Sequence, residues 1–508
     1  FRRLFGEGGL TTAFLPEFVR VRTQYGHAAA VEVFSEVAWR VLKLLSAITV
    51  AAEVILLALR FLPELSVRNR LLCDLSMIMM PYMLLICMAG LYCAALNGIG
   101  HFTIPALLPI LLNVVWLVGA GLVVWTTGDP VTRIVGMSVV VVIGGIIQVT
   151  AAVGKRASRG IRLRRSAAAF DSRPSLNDGF AQKSPDSIAV PTDMVAARTN
   201  RIFVVMWPVL AGLSISQING LVDSALAWGL AADRLKNAGW FSSFHLPQGT
   251  AAALYLGQRL FQFPLGVFAV ALGTVLFPRF TSHAQTEDRR QLQLDIIHGL
   301  QLVCVVGIPA AAGLWMLAQP ISDLLFRYAR FDAAASALTA EMIRGHAAGV
   351  WAFSGLLIVN RIFYATDDQH TPMRLGLVCV GINLILDIAL LPLLGGFALP
   401  LAGVLAATAQ FVLATEEVRR RFFGIRSMAL LPVLTRVIVC SAIMSLAGHL
   451  TLMHSPDWFS AADGVMQRMI RVVLPMCVSA AVYAGCLTLA GLSPIRLLHS
   501  AQLLPPDA

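Results

Sequence analysis

Polar residues break this chain into about thirteen runs of mostly apolar residues, each near the 20 residues an α-helix needs to cross the hydrocarbon of a bilayer. The runs lie near 1–19, 42–62, 74–97, 104–125, 132–153, 200–230, 256–278, 297–318, 339–365, 374–393, 397–415, 428–450 and 470–492. Between the first two, the stretch 28–41 sets Glu32, Glu36 and Arg40 at helical spacing on one face, with Val33, Phe34 and Val37 elsewhere. That arrangement predicts an amphipathic helix lying along the membrane surface. The pattern as a whole predicts an all-α, multi-pass membrane protein.

Composition agrees, with 57% hydrophobic residues, 13% charged residues and a mean hydropathy of +0.75, against roughly 25% charged residues in soluble chains. The net charge of +11 would suit nucleic acid on a soluble protein. Here the basic residues cluster in short polar loops, the distribution that retains loops on the cytoplasmic side, so no nucleic-acid partner is expected. The longest polar segment, opening "GKRASRGIRLRR", is a basic cytoplasmic linker over 154–199, and "EEVRRRFFGIRS" and "RFTSHAQTEDRR" fall on its side of the membrane. The domain organisation is then 1–153, an N-terminal transmembrane half; 154–199, the linker; 200–424, a C-terminal half; and 425–508, two further helices with a short tail. The 8 cysteines stand singly without CxxC spacing, as buried thiols do. No secretory signal or start-site flank precedes the first run, so a whole helix and the start of the next are expected upstream of Phe1.

The two halves repeat. "TAFLPEF" returns as "TVLFPRF", with Pro16 and Pro278 separated by 278 − 16 = 262 residues; "LNGIGHFTIP" returns as "YATDDQHTP", with Pro105 and Pro372 separated by 372 − 105 = 267. Each copy crosses to the same side, giving parallel repeats, and transporters place their substrate sites between such repeats.

The stretches "FRRLFGEGGLTTAFLPEF", "ALNGIGHFTIPALLPILLN", "QRLFQFPLGVFAVALGTVLFPRF" and "FYATDDQHTP" resemble the MurJ (MviN) lipid II flippases of the multidrug/oligosaccharidyl-lipid/polysaccharide exporter superfamily. The resemblance implies two pseudo-symmetric six-helix halves around a central cavity plus two C-terminal helices, with the family's first helix missing here. It also implies a monomeric, non-enzymatic flippase of the bacterial inner membrane, moving undecaprenyl-diphosphate-linked peptidoglycan precursor among membrane lipids by alternating access. In the family, arginines at the places of Arg2 and Arg259 line the cavity. Guanidinium forks, permanently charged and bidentate, suit a diphosphate crossing hydrocarbon. Arg3 and Glu7 beside them, and Gln262, Pro264 and Gly266 beyond Arg259, are supporting or gating residues on this reading. Snorkelling at a helix end is the competing role for the arginines. Departures from the family include Gln258 and Gln262 where many relatives carry an acid, and Ala329 where glycine is frequent.

A second constellation joins Asp223 to Asn383 and Asp387, the last two at i and i+4 on one helix face. Acids in apolar spans are costly, so a hydrogen-bond cluster, protonation or a bound cation must offset them. The resemblance implies a sodium ion held with the Val404 carbonyl and Thr408 on the following helix, an all-oxygen set that suits a hard cation. No other cofactor is expected. An exporter of a different lipid-linked saccharide or of drugs, or an enzyme acting on polyprenyl phosphate, are the alternatives. No Walker A sequence points to ATP.

Overall fold

A bilayer offers no water to backbone amides, so a chain of apolar runs must satisfy them within helices. The computed structural model describes residues 9–63, 66–101, 103–157, 192–231, 246–286, 288–366, 368–423, 430–454 and 464–492, and among them there are helices and no strands. In order, the helices are α1 (Gly9–Arg60), α2 (Val67–Gly98), α3 (Thr103–Thr126), α4 (Pro130–Ala157), α5 (Thr192–Ala231), α6 (Thr250–Pro264) and α7 (Ala271–Gln285). They continue with α8 (Arg289–Met316), α9 (Ala318–Phe326), α10 (Ala333–Ala347), α11 (Val350–Ala365), α12 (His370–Leu394), α13 (Ala398–Val418), α14 (Leu431–His454) and α15 (Val465–Leu489). Nine of the helical stretches among the described residues are long and apolar enough to cross a bilayer, or ten if α10 and α11, bent by 42°, form one span.

Contacts divide the chain into two units, residues 1–214 and 215–508, so the division falls inside α5. In the first unit, Gly26 (φ 87°, ψ 177°) breaks α1 into two helices. A positive φ costs glycine little and other residues more. The helix before the break packs Phe14 and Phe18 against each other, with ring centroids 5.2 Å apart, and Phe14 edge-on to Phe34 of the next helix at 5.9 Å. Gly98 ends α2 where a Cβ would come within 2.5 Å of the Phe18 ring. Only glycine permits that approach, and it brings Arg22 to donate from Nη1 to the Gly98 carbonyl at 2.7 Å. A cation at a helix C-terminus is favourable for that reason.

The second unit reproduces this plan. The helices α2 and α11 end at Gly98 and Ala365, and α3 and α12 begin at Thr103 and His370, with 365 − 98 = 370 − 103 = 267. The Gly26 break corresponds to Asp288, the residue capping α8, with 288 − 26 = 262. Pro81, inside the continuous α2, corresponds to Ala348 at the α10–α11 joint, with 348 − 81 = 267. The two motif phenylalanines, Phe18 and Phe280, are both fully buried. Their neighbours Glu17 and Arg279 also occupy equivalent places, with opposite charge.

Two expectations are revised. Residues 28–41 do not form a separate surface helix: they continue without interruption to Arg60, and Ala29, Ala30, Val33, Phe34, Val37, Ala38 and Val41 are buried. Part of the charged stripe meets protein, as Arg40 bonds Glu36 at 2.7 Å and Asn200 of α5 at 2.6 Å, while Glu32 stays exposed. Residues 192–199, expected in the linker, open α5 instead. Residues 154–157 of the expected linker end α4, while 158–191 and most of the 231–250 loop lie outside the described residues.

Within the second unit, the pair α14–α15 packs against α8 and α9. Arg468 donates to the carbonyls of Asp323 (3.4 Å) and Arg327 at the end of α9 and lies over the Tyr328 ring at 5.3 Å. In the turn that follows, Ala329 has φ 50°, the left-handed conformation that costs a Cβ-bearing residue roughly 1–2 kcal/mol.

Candidate functional site

Arg259 sits nine residues into α6, 259 − 250 = 9, on a helix whose two faces differ. One face is closed: a Cβ on Gly257 would stand 2.9 Å from the Met342 backbone, and Phe261 meets Phe353 edge-on at 5.0 Å and His346 at a tilt at 5.7 Å. The other is open, with Tyr255 and Arg259 exposed, Gln262 half-buried, and nothing within 4 Å of where a Gly266 Cβ would be. The Arg259 guanidinium lies 4.8 Å from the Tyr255 ring centroid and reaches Gln262 Oε1 at 3.3 Å. Neither neighbour cancels its charge, so the fork is held in place with its charge unspent.

Beyond Pro264 the helix widens into a π-turn, Leu265–Val270, before resuming as α7. Proline has no N–H for the carbonyl one turn back, and such π-turns gather at functional sites. Pro264 and Gly266 thus stand at a built irregularity. Arg2, Arg3 and Glu7 lie outside the described residues.

Asp223, Asn383 and Asp387 converge. The Asn383 amide donates to Asp223 Oδ1 at 3.1 Å and to Asp387 Oδ2 at 2.9 Å, with Asn383 and Asp387 fully buried. Both amide hydrogens are then used, while Asn383 Oδ1 and Asp387 Oδ1 have no donor among the described residues. Buried acceptors without donors are costly, and this donor-poor oxygen set suits a small cation. On α13, Gly403 faces the cluster, since its Cβ would lie 3.5 Å from Asn383 Oδ1, and Thr408 donates to the Val404 carbonyl at 2.8 Å.

Three arrangements were not foreseen. Glu17 is buried between Arg198 of α5 at 2.7 Å and Arg20 at 3.4 Å. Its repeat partner Arg279 bonds the buried Asp295 at 2.6 Å, and His283 donates to the same carboxylate at 2.8 Å. The motif residue Asp368 accepts from the backbone of His370 (3.0 Å) and Thr371 (2.9 Å), from the Thr371 hydroxyl and from Arg421, both at 2.6 Å. Burial pushes its carboxyl up, but the Thr371 and Arg421 bonds outweigh it and hold the pKa at about 2. The repeat flagged positions 17, 279 and 368; their partners on other helices carried no local signal.

The profile of the family described as Lipid II flippase MurJ matches residues 1–463. The chain belongs to the MurJ family. Relatives of the same name include the lipid II flippase MurJ of Burkholderia cenocepacia, 25% identical over 501 residues, covering 96% of this chain and 88% of that protein. The probable lipid II flippase MurJ of Rhizobium tropici is 25% identical over 452 residues, covering 87% and 76%. Among solved structures, a lipid II flippase MurJ in an inward closed conformation superposes with a TM-score of 0.69 at 17% identity, covering 96% of this chain and 89% of that one. An inward-facing multidrug-resistance transporter of the MOP superfamily gives 0.62 at 12% identity, covering 82% and 86%. At these identities the structural matches establish the fold. MurJ membership makes this a multi-pass inner-membrane flippase.

Proposed function

We propose that this MurJ chain moves lipid II, the undecaprenyl-diphosphate-linked peptidoglycan precursor, across the inner membrane by alternating access, working as a monomer without catalysing a covalent reaction. The observation that carries the reading is Arg259: a guanidinium on the open face of a membrane helix with no acid among the described residues to neutralise it. Lipid is a poor environment for that charge, whereas a diphosphate neutralises it and can be bound bidentately. Tyr255 and Gln262 orient the fork, and the π-turn at 265–270 gives α6–α7 a joint at which the two ends of the span can move independently. Arg2 supplies the matching charge from the N-terminal half, with Arg3 and Glu7 supporting it; Gln262, Pro264 and Gly266 have that supporting role around Arg259. The domain reading is of two transmembrane halves joined by the basic linker between Ala157 and Thr192, with residues 425–508 as the added pair.

A sodium ion suits Asp223, Asn383 and Asp387 with the Val404 carbonyl and Thr408, and when bound it would neutralise the two carboxylates. Asn383 holds those carboxylates in place by spending both its hydrogens on them. An ion biases a conformational equilibrium only through its differential affinity for the states.

Expression of the full-length protein in cells depleted of their own flippase tests the reading. Growth and outer-leaflet exposure of the precursor are expected to return with the unaltered chain and not with Arg259→Ala at equal membrane abundance. Rescue by Arg259→Ala would refute it.

A further inference from the structure

A second arginine in the C-terminal unit shares the property that singles out Arg259. Arg361 lies near the end of α11, half-buried, with no ion-pair or hydrogen-bond partner among the described residues. Its guanidinium is laid across α7 at Gly273: a Cβ there would stand 2.5 Å from Arg361 Cζ, 2.6 Å from Nη1 and 2.7 Å from Nε. Glycine at 273 therefore forms the slot that the charged group occupies.

Snorkelling does not account for this placement. A snorkelling arginine sends its head along its own helix toward water, but this head crosses to a neighbouring helix. Gly273 lies 285 − 273 = 12 residues before the end of α7, roughly 18 Å along the axis at 1.5 Å per residue. The α11–α12 turn is tied by the Asp368–Arg421 pair at 2.6 Å to the basic segment 419–423, whose charge marks the cytoplasmic side. Arg361 thus sits inside the cytoplasmic end of its span, where a diphosphate carried from the cytoplasm passes early. A permanently charged fork kept without a counter-ion in such a place calls for an anionic one.

We propose that Arg361, seated in the Gly273 slot, is a second anion-binding residue that takes a phosphate of the lipid-linked diphosphate near the cytoplasmic end of its path. The proposal rests on the flippase reading above.

The test measures binding of undecaprenyl diphosphate to the purified full chain in nanodiscs, with phosphatidylglycerol and inorganic pyrophosphate as competitors. Arg361→Ala is expected to weaken binding about tenfold, with Arg361→Lys recovering part of it. Gly273→Ala displaces the flexible end of a side chain, not backbone, so it is expected to leave thermal stability near that of the parent and to weaken binding similarly. In Arg361→Ala the Gly273→Ala change is expected to add nothing. Pyrophosphate is expected to compete and phosphatidylglycerol is not. Unchanged binding in the Arg361 variants, additive losses in the double variant, or equal competition by phosphatidylglycerol would each overturn the proposal. Arg259→Ala run in parallel separates the two levels: a loss there with none at Arg361 refutes this inference alone, and no loss at either refutes the flippase reading as well.

Discussion

The Tyr483 hydroxyl of α15 donates a 2.6 Å hydrogen bond to the carbonyl of Val305 in the middle of α8. Val305 is four residues before Pro309, the position whose N–H would ordinarily take that carbonyl. Tyr483 therefore satisfies a backbone group that proline leaves open, and the C-terminal pair braces the irregular point of α8. Tyr483→Phe is expected to destabilise the protein by about 1 kcal/mol, within the range of buried hydrogen bonds in membrane bundles. In a Pro309→Ala background, where the substituted residue supplies the missing N–H, the same change is expected to cost much less. Unfolding of the four combinations checks this coupling, and equal costs in both backgrounds would argue against it.

Ala329 occupies a left-handed position at φ 50°. Ala329→Gly is expected to stabilise the α9–α10 turn by up to roughly 1 kcal/mol, the strain relieved minus glycine's greater unfolded-state freedom. The measurement is the unfolding midpoint of the purified chain, which should rise; a fall would contradict the strain assigned here.

Asp368 has its carboxyl held at about 2, below the ordinary value of about 3.9. A depressed folded-state pKa contributes stability that is full above the unfolded value and lost as pH falls through the folded one. Wild type is therefore expected to exceed Asp368→Asn in stability at pH 5 and above, the gap closing between about pH 4 and pH 2. A constant gap across that window would show that the bonds to Thr371 and Arg421 do not depend on the charge.

Asp387→Asn replaces a carboxylate of the buried cluster with an amide. If sodium occupies the set, cysteine labelling that reports inward and outward accessibility is expected to respond to sodium at fixed pH in the parent and weakly or not at all in Asp387→Asn. A response to pH but not to sodium would assign the cluster to a proton. No response to either would leave Asn383 and its two aspartates a structural tie.

Much of this was legible because bilayers punish exceptions. Asp223, Asn383 and Asp387 stood out as polar groups in apolar runs, and their convergence followed from the same cost. The repeat offsets of 262 and 267, read from two pairs of prolines, reappear in the structure as the paired breaks at Gly26 and Asp288 and the matched ends at Gly98 and Ala365. Residues 28–60 were harder to read because the charges of Glu36 and Arg40 look interfacial until Asn200, 160 residues away, is seen to meet Arg40. Pro264 signalled a bend, but whether a helix kinks or widens into a π-turn depends on what packs against it. The Gly273 slot and the Tyr483 bond join residues of different helices and leave no periodic trace.

The central claim is that the unpaired charge of Arg259 carries the substrate's diphosphate. The most direct test is to follow precursor reaching the outer leaflet in flippase-depleted cells, comparing Arg259→Ala and Arg259→Lys at matched membrane abundance. Loss of transport in the alanine variant, at least tenfold, with partial recovery by lysine, is the predicted result; transport at the parental rate by Arg259→Ala would contradict the account.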